Sequence, residues 1–125
     1  MSIYPCLTYR DVPAAIAWLA SVLEIEGRAL VRDGASADDK VEHAILSSGD
    51  GKILVESERP DELHGPHAGS GWVYVTVADA DAHYDLARAA GAEVLGEPHD
   101  YGEGFRGYSA RDCEGNLWSF GTARL

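Results

Sequence analysis

Two cysteines, five histidines and a scatter of tyrosines, tryptophans and arginines carry what chemistry this 125-residue chain can offer. Cys6 and Cys113 make neither a disulfide framework nor a CxxC metal motif. Cys6 lies in an apolar run and is expected to be a small core or pocket residue. Cys113 lies beside a turn, as a partly exposed thiol, and neither cysteine has an activating neighbour in sequence. His64 and His67 stand as HGPH with no helix to orient them, His83 falls in a helical stretch, and His99 follows Pro98. All four are expected to be ordinary surface histidines. Ser47, Ser48 and Ser109 lack a GxSxG setting, and no Gly-rich phosphate loop follows a strand.

Binding chemistry has better support. Residues 71–77, GWVYVTV, alternate strictly, which puts Val73, Val75 and Val77 on one strand face and Trp72 and Tyr74 on the other. Such an aromatic wall with polar tips suits flat or cationic organic ligands. The stretch HDYGEGFRGY holds Gly102 and Gly104 in a mobile loop ahead of a strand carrying Arg106 and Tyr108. Arg106 suits an anionic or carbonyl group through paired hydrogen bonds, or else an ion pair with a nearby acid. Tyr101 is placed as a lid over the same region.

The setting is that of a soluble globular chain. Ten Lys and Arg against 21 Asp and Glu leave a net charge of −11, a field that repels phosphate backbones and anionic membranes. Nucleic acid and membrane partners are therefore not expected. The acidity is spread over both halves, as solubility requires, and also favours cationic small molecules. No run of about 18 apolar residues would span a bilayer. The opening MSIYPCLTYRD has no basic-then-apolar leader, so a cytoplasmic location is expected.

The elements that position these residues come twice. Residues 3–9 form a strand, Asp11 an N-cap with Pro13 in the first helical turn, and Val12, Ile16, Leu19 and Leu23 one helix face. Residues 25–33, 41–47 and 52–57 are strands, with 33–40 a polar loop and Asp50-Gly51 a hairpin turn. In the second half, residues 71–77 form a strand, Asp79 caps a helix ended by Gly91, and 92–96, 105–111 and 116–121 are strands. Pairing Thr8 with Thr76 pairs the two caps, and pairing Gly51 with Gly115 pairs Val55 with Ser119 and Glu56 with Phe120. The reading is one domain over 1–125, with βαβββ modules at 1–58 and 71–125 and a Pro- and Gly-containing linker at 59–70.

Over its whole length the chain resembles the vicinal oxygen chelate superfamily, which includes glyoxalase I, bleomycin-resistance proteins and extradiol dioxygenases. The resemblance rests on YRDVPAAIAWLASVL, VYVTVADADAHYDLARAAGAEV and, most specifically, FRGYSARDCEGNLWSFG. It implies an α+β fold in which tandem βαβββ modules form curved mixed sheets around a cavity, with helices outside. In metal-using members, two positions per module supply His or Glu ligands; carried over, these are Tyr4, Val55, Trp72 and Ser119. None suits a divalent metal, which prefers imidazole and carboxylate. A one-residue slip would turn Glu56 into the cavity, where His43 could join it.

The resemblance thus implies a small-molecule-binding protein that needs no metal or other cofactor and that sequesters an aromatic or cationic compound. The alternative is a lyase, isomerase or dioxygenase with an atypical metal set or metal-free acid–base chemistry. Tyr4 and Cys6 are expected to line one shared cavity with Trp72, Tyr74 and Ser119, with Arg106 and Tyr108 near its rim. Trp118 and Phe120 are expected beneath the helices. Open sheets, and relatives that complete the cavity across subunits, imply a homodimer.

Overall fold

A computed structural model describes residues 1–30, 43–58 and 67–124. The first half runs β1 (Cys6–Tyr9), α1 (Val12–Val22), β2 (Glu26–Leu30), β3 (His43–Ser48) and β4 (Gly51–Ser57). The second runs β5 (Trp72–Thr76), α2 (Ala80–Ala89), β6 (Glu93–Val94), β7 (His99–Tyr101), β8 (Phe105–Arg111) and β9 (Leu117–Gly121). One sheet has the order β1-β4-β3-β2 and the other β5-β9-β8-β6, with β7 also on β8. In each sheet the first and last strands of the half pair in parallel, β1 with β4 and β5 with β9. The fold is thus α+β with two mixed sheets, neither closed into a barrel among the described residues, and the repeated order of elements read from the sequence holds except for one additional strand, β7, in the second half. Residues 59–66 of the linker, His64, the loop 33–40 and the strand ends 31–33 and 41–42 lie outside the described residues. Among the described residues no helix is long and apolar enough to cross a membrane.

Local chemistry explains the helices. The Asp11 and Asp79 side chains accept hydrogen bonds from the backbone N–H groups of Ala14 and Ala82 at 3.1 and 3.0 Å, satisfying donors that the first turn leaves free. Gly91, just beyond the C-cap Ala90, has φ +100°, the left-handed step that stops α2. Val12, Ala15, Leu19 and Val22 bury the inner stripe of α1. One core cluster joins Leu7, Tyr9, Leu46 and Val55 of the first half to Tyr84, Tyr108, Trp118 and Phe120 of the second. The helix-side faces of both sheets therefore share that core, and the opposite, open faces lie outside it.

Register corrects one expectation. Ser48 pairs with Gly51, so the two-residue turn is Gly49-Asp50, with φ +56° at Gly49. Positive φ at the first central position is the mark of a II′ hairpin turn, and Gly51 is already strand. Gly115, by contrast, sits in its turn at φ +93° and β9 begins only at Leu117. Matching the two glycines was therefore one residue out. Cys6 pairs with Leu54 and Tyr74 with Ser119, so Leu54, not Val55, is the counterpart of Ser119. Val55 is buried at 1% exposure beside the helices, and Glu56 lies on the open face, opposite His43.

The halves are joined by a buried carboxylate. Asp112, at the β8–β9 turn, accepts from Tyr9 Oη and Trp118 Nε1 on Oδ2, and from the Glu114 and Asn116 N–H groups on Oδ1. Beside it, Glu114 accepts from the N–H groups of Arg10 and Asp11, and Asn116 Oδ1 from that of Gly71. Gly71 allows this approach, since a Cβ there would stand 2.2 Å from Leu7 Cδ2.

Candidate functional site

The open face of the second sheet has a floor of small residues. Gly107 pairs with Gly121 and Ser109 with Ser119 across β8 and β9. A Cβ on Gly121 would meet Tyr74 Oη at 2.7 Å and one on Gly107 would meet the Tyr101 ring at 3.3 Å, so both rings lie on the bare backbone. Tyr74 Oη donates to the Ala123 carbonyl at 2.8 Å. Trp72 Nε1 donates to Ser119 Oγ at 2.9 Å, and Ser119 Oγ shares a hydrogen bond with Ser109 Oγ at 2.8 Å. The polar tips of Trp72 and Tyr74 are thus satisfied within the sheet, and Trp72 stays 72% exposed. With Phe105 these rings line a hollow of about 320 Å³, within the range of small-ligand sites.

The structure brings together only part of the expected set. Trp72, Tyr74, Tyr101 and Ser119 border this hollow. Tyr4 and Cys6 do not: Tyr4 precedes β1 as an exposed side chain, and exposed Cys6 begins the edge strand of the other sheet. The shared core lies between the two open faces, and the groove that does run between the halves is bordered by Pro5, Trp72 and Tyr74 but not by Tyr4 or Cys6. Arg106 and Tyr108 also border the hollow, while their side chains hydrogen-bond to Asp81 and His83 of α2. Arg106 makes paired hydrogen bonds to Asp81 at 2.7 and 3.0 Å and a third to Asp100 at 3.2 Å. The hydrogen bonds from Arg106 hold the Asp81 carboxyl below the usual carboxylate range, and they raise the guanidinium in turn. This is the ion-pair alternative expected for Arg106.

Tyr108 is buried, with its hydroxyl on His83 Nδ1, while His83 Nε2 reaches the Leu23 carbonyl at 3.2 Å. These partners suit a neutral imidazole that donates from Nε2 and accepts at Nδ1. Burial lowers the His83 pKa, and burial with the Glu24 charge raises that of Tyr108. His83, expected at the surface, instead stacks on Phe120 with ring centroids 4.2 Å apart. The Cys113 thiol is pushed up to about 11 by burial and by its Asp112 and Glu114 neighbours, the opposite of activation.

His43 and Glu56 meet on the open face of the first sheet, with Nε2 and Oε2 3.9 Å apart. Together they offer two donors; among the described residues no group of three His, Cys, Asp or Glu side chains is placed to hold a metal ion. The four positions implied by the resemblance become Tyr4, Leu54, Trp72 and Ser119 after the register correction, still without imidazole or carboxylate. Sequence reasoning missed the glycine and serine pairs of the floor, along with Phe105 and β7. The small residues every second position in GYS and SFG were the available signal. Gly102 and Gly104, at φ +59° and +76°, return β7 tightly onto β8, so the expected mobile loop is a hairpin turn.

The model of the glyoxalase/bleomycin resistance protein/dioxygenase superfamily matches residues 4–120. Among solved structures, TioX from Micromonospora sp. ML1 is 31% identical, with TM-score 0.75 over 100% of this chain and 98% of that one. A glyoxalase-related enzyme from Clostridium phytofermentans is 13% identical, with TM-score 0.74 over 97% of this chain and 93% of its own. A glyoxalase/bleomycin resistance protein/dioxygenase from Nocardioides is 17% identical, with TM-score 0.68 over 97% and 82% of the two chains. No curated protein sequence matches the chain.

Proposed function

Since the chain belongs to the glyoxalase/bleomycin resistance protein/dioxygenase superfamily, we propose that it is a metal-independent small-molecule-binding protein. Its ligand is a flat aromatic or cationic compound, stacked on the open face of the second sheet. The observation that carries this is Trp72, a large ring left exposed while its N–H is satisfied by Ser119. A ring so held keeps its orientation at little entropic cost and offers only its π-face, which suits stacking and cation–π contact. Tyr74, Tyr101 and Phe105 extend the surface. Metal independence is supported by the donor set at Tyr4, Leu54, Trp72 and Ser119, where hydroxyl, indole and alkyl groups replace the usual ligands. A homodimer fits the same reading, because exposed open faces and the free edge of β5 invite a second copy. Two free cysteines suit a reducing cytoplasm.

One observation favours a second reading, a lyase, isomerase or dioxygenase: the His43–Glu56 pair on an open face. Metal analysis separates the two, since stoichiometric zinc, nickel or iron would promote the enzyme. For the binding reading, Trp72→Ala is expected to weaken binding of a planar aromatic probe by about 1–3 kcal/mol. Its stability cost should stay below the about 3–5 kcal/mol of a core tryptophan. A collapse of stability with unchanged probe affinity would overturn the platform.

A further inference from the structure

The hollow on the open face is not the largest in the molecule. A groove of about 950 Å³ runs between the two halves, from Pro5 past the free edge of β5 to the tip of the β3–β4 hairpin. Its walls include Ile25, Leu46 and Ile53 from one half and Val73, Val75 and Trp118 from the other, all core-side residues. The halves touch at Gly71 and Leu7, and along the groove Ile53, Val73 and Val75 are only partly buried while Ile25, Leu46 and Trp118 belong to the covered core. Its size lies in the range of sites that enclose most of a small organic molecule.

The polar groups at the groove define what fits it. Among the described residues that border it, Asp50 is the one carboxylate, and Lys52 and Arg124 are the two cations. Both cations are exposed and neither pairs with a carboxylate among the described residues. Arg124 is delivered to this place by its neighbours. The Ala123 carbonyl accepts from Tyr74 Oη and Thr76 Oγ1, and Thr122 is bonded to the Arg106 backbone through both its N–H and its hydroxyl. The chain is thereby held across the end of β5 just before Arg124.

We propose that this groove is a second binding site, for an amphipathic organic anion. The apolar body lies between the halves, and a carboxylate, sulfonate or comparable acid group is met by Lys52 and Arg124. The site does not depend on the stacking platform, although Trp72 and Tyr74 border both hollows. Local charge selects against the cationic compounds that the overall acidity would attract.

Paired probes test this: 1-anilinonaphthalene-8-sulfonate and its neutral counterpart N-phenyl-1-naphthylamine, both titrated by fluorescence. Lys52→Gln/Arg124→Gln is expected to weaken the sulfonate about tenfold, as loss of charge-assisted hydrogen bonds would, and to leave the neutral probe within about twofold. Tyr101→Ala, which touches only the open-face hollow, should leave the sulfonate unchanged. Should the double variant not fold, raising salt on the wild type should weaken the sulfonate alone. Equal affinities of wild type and double variant for the sulfonate would overturn the proposal. So would loss of the sulfonate on Tyr101→Ala, which would put the probe on the platform, or its release as the protein self-associates, which would make a second copy the occupant.

Discussion

Removing the Asp112 carboxylate should uncouple the halves of the molecule, and the cost can be built from its partners. Tyr9 is 0% exposed, Trp118 1% and Asp112 5%, so the two side-chain donors on Oδ2 have no water to turn to. Tyr9→Phe deletes one donor and leaves the carboxylate three others; a hydrogen bond to a charged group puts the loss at about 1.5–3 kcal/mol. Asp112→Ala orphans Tyr9 Oη and Trp118 Nε1 at about 1–3 kcal/mol each, or about 2–6 kcal/mol before the Glu114 and Asn116 N–H groups are counted. That is a large part of the about 5–15 kcal/mol by which a domain of this kind is stable. Urea unfolding of both single variants and the double variant gives the energies, provided the denaturant slope is unchanged. Because Tyr9→Phe removes one of the groups that Asp112→Ala strands, the double variant should cost less than the sum, by about 1–3 kcal/mol. Strict additivity, or an Asp112→Ala cost under about 1 kcal/mol, would refute the argument that this carboxylate ties the halves together.

Further outcomes follow from the same structure. His83 has its pKa lowered by burial, so between that value and the ordinary 6.5 the unfolded chain binds more protons than the native one. Stability should fall as pH drops through this window, and His83→Phe should flatten the slope there; an unchanged slope would count against a half-buried neutral imidazole. Gly71→Ala forces a methyl against Leu7 and Asn116 at the junction and should destabilise by about 1–3 kcal/mol in urea unfolding. A neutral result would mean that the halves can separate slightly without loss.

Much of the architecture could be read from local signals. Asp11 and Asp79 as caps, Gly91 as a terminator and the alternation of GWVYVTV are contacts within a few residues, so their consequences are written along the chain. The same holds for the order of elements in each half apart from β7, and with it the fold. Register and side could not be read this way. Whether Val55 or Glu56 faces the core depends on which residue of SSGDG takes the positive φ, and only pairing with β3 places that at Gly49. Tyr108 and His83 turn inward because α2 packs on β8, bringing together residues 25 positions apart. Asp112 finds Tyr9 across 103 residues. The floor beneath Trp72 exists because the small residues of β8 fall opposite those of β9. Short-range chemistry sets what each segment becomes; which faces meet, and what they leave open, is decided by long-range packing of apolar surface, which carries no local mark.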